Sequence, residues 1–423
     1  MPHLLLLLPS ATYRAEPFLE AARRLNVLVT IGCQQAERWE HLGSYEVLVL
    51  DFQDISACQE RVQQFVNTHP LDAVVGVEDT TAFIAACLAS LLELPHHSPD
   101  AASAARNKLE MRTLLQGSTV RIPHFEAFST FTDPTQIATT IHYPCVVKPL
   151  TLSASCGVIR ADDPDSFCHA FTRVKTLLIQ LGLTEKENAA HTLLVEDFIP
   201  GMEVAAEGIL TNGILQVLAL FDKPDPLNGP YFEETIYITP SRLPTGIQSQ
   251  IAETLQQASR ALGLREGPVH GEVRINEEGV WIIELAGRSI GGRCSQILQF
   301  GSGMSLEELI LRHALRMKIP TFERETQAAG VMMLPIKELG YFQALHGQDE
   351  ARNTPGITLL EITARAGDLL VPLPEGTRYL GFLLAKGPSP DTVEQALRRA
   401  HQCLQVKTNP VSTSSGKPGI WKV

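Results

Sequence analysis

Residues 267–292 read GPVHGEVRINEEGVWIIELAGRSIGG, and this stretch limits what the chain can fold into more than any other. Two runs rich in Val, Ile and Trp, residues 269–275 and 280–285, flank Asn276-Glu277-Glu278-Gly279, a polar, Gly-ended cluster of the kind that closes a β-hairpin. Pairing Ile275 with Val280 would send Glu272 and Glu284 to opposite faces of the sheet. A slip of one, with Ile275 opposite Trp281, gathers Gly271, Val273, Ile275, Trp281, Ile283 and Leu285 on one apolar face. His270, Glu272 and Arg274 then share the other face with Ile282, Glu284 and Ala286. Burial of the apolar set selects this second register, reached through a three- or five-residue turn or a bulge.

Glu272 and Glu284 become direct neighbours in that register, and like charges placed opposite each other destabilise a sheet unless something positive lies between them. A divalent cation answers the need. Two carboxylates with few other ligands suit Mg²⁺, which keeps waters and substrate phosphate oxygens in its shell. Arg288 follows four residues after Glu284, and Gly291-Gly292 would let backbone approach a ligand closely. The bland reading is an exposed hairpin with acidic residues on its wet face, a common arrangement.

Composition narrows the function classes. At 423 residues, with 44% hydrophobic and 19% charged residues, the chain is long enough for two to four domains with ordinary soluble cores. A net charge of −12 argues against a general nucleic-acid binder. The eight cysteines form no CxxC pair and no zinc-like spacing, so a reduced, cytoplasmic compartment is the simplest expectation. The leucine run at residues 4–8 lacks a basic leader and meets Pro9 at once, so it reads as a buried first strand. No apolar stretch approaches the ~18 residues of a membrane span.

From the N-terminus, strands at residues 3–8, 27–31, 45–50 and 73–77 alternate with helices at 13–25, 58–67 and 80–92, which predicts a mostly parallel sheet covered on both faces. Ligands of such sheets bind beyond the strand carboxyl ends, so Pro9-Ser10, Gly32 and Glu78-Asp79 point toward a crevice. A single helix is expected over residues 100–116, carrying Arg106, Lys108 and Arg112 and stopped by Gly117. After Pro123 the pattern turns antiparallel. The strand PCVVKP, residues 144–149, carries Lys148 and leads into small residues, 150–157, before a return strand at 158–160. Strand, small-residue loop, strand is what a phosphate-covering hairpin requires, because backbone N–H groups can then reach phosphate oxygens. A helix at 167–181, strands at 193–197, 204–210 and 214–220, a Pro/Gly-rich loop at 222–230 and an amphipathic helix at 246–262 lead into the opening hairpin. Beyond it come a capped helix from Ser305, a β-rich section from Ala329, a closing helix at 391–404 and a Ser/Pro/Gly-rich tail.

Taken in order, RNKLEMR, YPCVVKP with its Ser/Gly loop, VEDFIPGMEV, and HGEVRI with IIELAGR resemble the ATP-grasp superfamily of carboxylate-amine ligases. The resemblance spans roughly residues 95–315. It implies a mixed α/β and α+β architecture: an N-terminal parallel α/β domain of biotin-carboxylase-like kind (1–95), an ATP-grasp fold (96–325) with a small lid subdomain (about 123–200), and a β-rich C-terminal domain (326–408), with a flexible tail at 409–423.

By matching position, the resemblance implies that Lys108 and Lys148 contact nucleotide phosphates and that residues 153–157, with Ser153, Ser155 and Gly157, form the lid loop. Glu196, Asp197, Phe198 and Ile199 correspond to a hinge holding adenine largely through backbone groups, and Glu203 to the ribose carboxylate. Glu272 and Glu284 match ligands of Mg²⁺, for which Mn²⁺ can substitute, and Arg288 with Lys148 would be catalytic. Where many relatives carry Asn, this chain has Ala286. The Ala-Gly-Arg variant, Gly291-Gly292 and the segment PYFEETIYITPSRLP resemble the L-amino-acid ligase and carnosine-synthase-like branch. Tyr231, Glu234 (or Glu233), His270, Gly291 and Gly292 would then face the amino-acid site. A structural hydrogen bond is an equal alternative for His270, and Cys156 and Cys294 read as small fillers. The implied activity is ATP-dependent peptide or amide bond formation between the carboxylate of one amino acid and the amine of a second through an acyl phosphate, releasing ADP and phosphate, by a chain that can form a homodimer and binds neither nucleic acid nor membrane. Alternatives are another acid-amine ligation, bicarbonate-dependent carboxylation, or a nucleotide-binding sensor without turnover.

Overall fold

The computed structural model of the chain describes residues 1–39, 43 and 45–411. Four parallel strands, β1 (His3–Leu7), β2 (Leu28–Cys33), β3 (Glu46–Val49) and β4 (Ala73–Gly76), pair in the order β3-β2-β1-β4. The leucine run is buried on both faces: Leu4, Leu6 and Leu8 enter one core while Leu5 and Leu7 enter another. Helices α1 (Ala15–Arg24), α2 (Ile55–Val66) and α3 (Asp79–Leu91) contribute to those two cores, as the unbroken apolar pattern requires.

The helix expected over residues 100–116 is two helices, α4 (Pro99–Arg106) and α5 (Lys108–Gln116). Asn107 breaks it. This residue is extended (φ −114°, ψ 110°), and its side-chain oxygen accepts from the N–H groups of Leu109 and Glu110, the N-cap arrangement that Asn favours. The break frees the Lys108 N–H to donate to the Leu150 carbonyl (3.0 Å), fastening α5 to the loop after the lysine-bearing strand.

A small antiparallel sheet follows, made of β5 (Phe125–Ser129), β6 (Cys145–Pro149), β7 (Ile159–Ala161) and β8 (Thr192–Asp197) in the order β5-β8-β6-β7. With α6 (Pro134–Ile137) and α7 (Pro164–Gln180) it closes a core of its own around Val147, Phe167, Phe171 and Leu193.

Strands β9 (Met202–Thr211), β10 (Ile214–Asp222), β11 (Ile236–Thr239), β12 (Gly267–Asn276) and β13 (Gly279–Ala286), backed by α8 (Thr245–Leu262), form the central sheet. After the short pair β14 (Gln299–Phe300) and β15 (Met304–Ser305) and helix α9 (Leu306–Ala314) comes β16 (Ala328–Leu334). The remaining elements are β17 (Gly340–His346), α10 (Gln348–Arg352), β18 (Ile357–Ile362), β19 (Leu369–Leu370), β20 (Gly381–Gly387), α11 (Pro390–Cys403) and β21 (Gln405–Asn409). Strands β16, β20 and β18 do not stand apart. They extend the central sheet in the order β13-β12-β9-β10-β11-β16-β20-β18, while β19, β17 and β21 pair separately. The segment expected as a tail, 409–423, lies outside the described residues from 412 onward.

The β12–β13 register mixes the two alternatives. At the turn, Asn276 pairs with Gly279, Ile275 with Val280, Arg274 with Trp281 and Val273 with Ile282. A bulge then shifts the pairing, so that Glu272 lies opposite Glu284, Gly271 opposite Leu285 and His270 opposite Ala286. The expected neighbourhood of the two glutamates is present, but the expected apolar set is corrected. Val280, Ile282 and Leu285 enter the core against α8, and Trp281 and Ile283 do not. A two-residue turn, Glu277-Glu278, fixes the first register, and one extra residue at Ile283 restores the second, as a bulge does.

Candidate functional site

The lid sheet, the parallel N-terminal sheet and the central sheet enclose a cavity of about 420 Å³. Lys108, Lys148, Ser153, Ser155, Glu196, Asp197, Phe198, Ile199, Glu203, Glu234, His270, Glu272, Glu284, Arg288, Gly291 and Gly292 all line it. Two expected residues do not. Gly157 sits behind the lid loop, its N–H donating to the Pro374 carbonyl (2.7 Å). Tyr231 bridges Ile159 of β7 and its hydroxyl accepts from Arg173, which holds it away from the cavity. Glu234 lines the cavity and Glu233 does not. At the strand ends Glu78 and Asp79 reach the cavity, whereas Pro9, Ser10 and Gly32 stay clear of it.

The floor comes from the register of β9 against β12, which places Glu203 opposite Arg274, Ala205 opposite Glu272 and Glu207 opposite His270. A lysine absent from the expected set organises it. Lys223, immediately after β10 and buried, donates through Nζ to Glu203 Oε1 (2.8 Å), Glu272 Oε1 (2.9 Å) and Glu234 Oε1 (3.0 Å). Burial alone would lower its pKa, but the three carboxylates outweigh burial and raise it, so it stays an ammonium. Arg274 completes the neutralisation of Glu203 through Nε to Oε2 (2.9 Å). The signal in the sequence is a lysine and an aspartate closing an apolar run, in Phe221-Asp222-Lys223-Pro224.

A hard divalent cation fits the Glu272–Glu284 pair. Glu284 has no hydrogen-bond or ion-pair partner among the described residues, so its carboxylate is available beside Glu272. The position where a third donor was in question offers none: Ala286 is 1% exposed and pairs with His270. Any further ligands would be water or phosphate oxygens, which suits Mg²⁺.

At the hinge, Glu196 is held between Arg112 Nε (2.6 Å to Oε1) and Lys148 Nζ (2.5 Å to Oε2). Burial pushes its carboxyl up, yet the two cations together bring it down to about 2. Arg112, expected only as a helix residue, is 1% exposed and also donates through Nη2 to the Ile283 carbonyl (2.7 Å) at the bulge. One guanidinium therefore ties the hinge to the acidic hairpin. Phe198 lies under Arg160 and Arg274, whose guanidinium carbons stand 4.1 and 5.0 Å from its ring centre. On the lid, Lys108 Nζ donates to the Leu152 carbonyl (2.8 Å), and Ala154 and Ser155 adopt φ of +52° and +56°, left-handed conformations that non-glycine residues seldom take.

The far end is built by the N-terminal sheet. Arg288 Nη2 donates to Asp79 Oδ2 (3.0 Å) and its Nε lies 2.8 Å from Oδ1. Arg14 Nη1 donates to the Ser289 carbonyl (3.1 Å), and the Gly292 N–H donates to the Tyr13 hydroxyl (2.7 Å). Tyr13 and Arg14 also line the cavity, and nothing in their loop sequence marks them out. Burial drives His270 down to about 3, helped by Arg288 and Lys223, so its imidazole is neutral. Burial likewise raises the Glu207 carboxyl well above its usual range. Among the described residues, His270 Nδ1 and Glu207 Oε1 have no hydrogen-bond partner.

Models of three families match the chain in succession: an ATP-grasp N-terminal domain over residues 19–96, an ATP-grasp domain over 141–297, and L-amino acid ligase C-terminal domain 2 over 332–409. Uncharacterized protein y4rH of Sinorhizobium fredii is 22% identical over 411 residues, 96% of this chain and 84% of that protein. Alanine–anticapsin ligase of Bacillus subtilis is 25% identical over 271 residues, 60% of this chain, and the match spans little more than half (56%) of that ligase. The crystal structure of an L-amino acid ligase from Bacillus licheniformis superimposes with a TM-score of 0.79 at 25% identity, covering 97% of this chain and 99% of that one.

Proposed function

We infer that this chain, which belongs to the ATP-grasp superfamily, is a ligase that joins the carboxylate of one amino acid to the amine of a second and converts ATP to ADP and phosphate. The observation that carries this reading is the convergence, in one cavity, of Lys108 and Lys148 on the lid side, the cross-strand pair Glu272 and Glu284, and Arg288. The likeness to an L-amino acid ligase and to alanine–anticapsin ligase supports amino acids as the substrates. The same reading divides the chain into an N-terminal domain (1–95), an ATP-grasp domain (96–325) and a C-terminal domain (326–408).

A carboxylate is a poor electrophile. In the proposed reaction its oxygen attacks the γ-phosphorus of ATP, the bond to the β-phosphate oxygen breaks, and ADP leaves. The amine of the second substrate then adds to the carbonyl carbon of the acyl phosphate, loses a proton and expels inorganic phosphate. Phosphoryl transfer of this kind needs positioning and charge stabilisation above all. Lys108 and Lys148 would meet phosphate oxygens, the hinge at residues 196–199 would hold adenine, and Glu203, fixed by Lys223 and Arg274, would accept from ribose hydroxyls. Glu272 and Glu284 would hold Mg²⁺ or Mn²⁺, which supplies neutralising charge to the phosphates. Arg288 would leave Asp79 to steady the transferred group, and residues 153–155 would cover it and exclude water.

Trapping tests this directly. With ATP, Mg²⁺, one amino acid and hydroxylamine, the chain should form the aminoacyl hydroxamate, because hydroxylamine intercepts an acyl phosphate. ADP formation without hydroxamate from any amino acid would exclude the reading.

A further inference from the structure

We propose that His124, His142 and Asp197 form a binding site for a borderline divalent cation, zinc in kind, at the lid end of the hinge. The three come from separate segments that the lid sheet brings together: His124 just precedes β5, His142 lies three residues before β6, and Asp197 ends β8, the strand between them in the order β5-β8-β6. Backbone bonds fix all three segments. The Asp197 N–H donates to the His124 carbonyl (2.9 Å), and the Phe198 N–H donates to the carbonyl of Pro144 (2.9 Å), two residues beyond His142.

One ligand atom from each residue lies within 4.8 Å of the other two, and His142 Nδ1 stands 3.9 Å from Asp197 Oδ1. The imidazole rings are 5.6 Å apart, centre to centre, at 37°. Two imidazoles on one tetrahedral ion, each nitrogen ~2.0–2.1 Å from the metal, place their ring centres roughly 5 Å apart. Only a small closure is therefore needed, and the His142 side chain, 76% exposed, is free to make it. Neither imidazole hydrogen-bonds to another protein group among the described residues, so no existing bond has to break.

The donor set separates this site from the acidic hairpin. Imidazole nitrogen favours zinc-like ions, whereas all-oxygen donors suit Mg²⁺. Two imidazoles and one carboxylate also leave a fourth tetrahedral position for water. Since the adenine hinge would work through backbone groups, the Asp197 carboxylate is available, and an ion here would staple β5, β8 and the turn before β6 beside Phe198.

Calorimetric titration of zinc chloride into the metal-free full chain, with Mg²⁺ in excess throughout, tests the assignment. We expect one equivalent bound, with His124→Ala and His142→Ala each weakening it by about tenfold or more. The exposed His142 can be removed without loss of folding, which thermal melting verifies. Zinc binding that survives in the double variant, that Mg²⁺ abolishes, or that is missing from the unaltered chain would overturn the proposal.

Discussion

Lys223 Nζ stands 2.9 Å from Glu272 Oε1, so the sheet's acidic face is stabilised by a cation from the chain itself before any metal arrives. The same ammonium bonds Glu203 and Glu234. Carboxylates proposed for ribose, metal and amino acid thus share one counter-charge.

Replacing Lys223 with Met should leave three carboxylates short of a partner, Glu203 buried and Glu234 and Glu272 partly so. Removing one member of a buried ion pair costs ~3–5 kcal/mol, so the urea midpoint should fall by that equivalent. Mg²⁺ should recover part of the loss, because a dication can take over the neutralisation. A midpoint insensitive to the substitution would contradict the role given to Lys223.

Glu284 and Glu272 should separate in their effects. Glu284 has no partner among the described residues, so Glu284→Gln should change stability by no more than ~0.5 kcal/mol while reducing phosphate release by about 10²-fold or more and weakening Mn²⁺ binding. Glu272→Gln should lose activity and stability together, since its charge also pairs with Lys223. Equal melting temperatures for the two variants would count against this division.

Acid should destabilise the fold in two windows. His97 is buried, which holds it down to about 4, and its Nδ1 accepts from the N–H groups of Arg265 and Glu266 (both 3.2 Å). The unfolded chain binds this proton first, so its contribution is complete above an ordinary histidine pKa of ~6.5 and is lost as pH falls to 4, by about 3 kcal/mol. Glu196, brought down to about 2 by Arg112 and Lys148 against burial, stabilises above pH ~4.5 and loses its contribution as pH falls toward 2. Stability curves of the unaltered chain and of His97→Asn should differ in slope between pH 6.5 and 4; parallel curves would show that His97 is not the group involved.

Gly292 has φ +59°, and a Cβ there would meet Met333 Sδ at 2.6 Å. Gly292→Ala should raise the KM for amino acid more than that for ATP, and Met333→Ala in the same chain should recover part of it. Equal changes in both constants would place Gly292 outside the amino-acid end.

Much of this was legible in sequence because the period of burial is short-range. The leucine run and the lid strands with Lys148 follow from which side chains must be buried; the juxtaposition of Glu272 with Glu284 is expected and present, but it comes from a bulge and not from the apolar set that pointed to it. Four features were not legible. The bulge at Ile283 combines two registers that the apolar pattern treats as exclusive. Asn107 splits a helix because its side chain caps the next one, a competition that propensity alone does not decide. Lys223, Arg112 and Arg14 act through partners 11 to 275 residues away, and only the fold brings those partners within reach. The joining of β16, β20 and β18 to the central sheet is long-range in the same way.

The most direct measurement is ATP-dependent phosphate release with pairs of amino acids, read alongside the mass of the product. The account predicts that one or more pairs release phosphate and yield the corresponding dipeptide in equal amount, with ADP as the nucleotide product and no requirement for bicarbonate. Tight ATP binding with no phosphate release from any pair, or ADP formation that depends on bicarbonate, would contradict it.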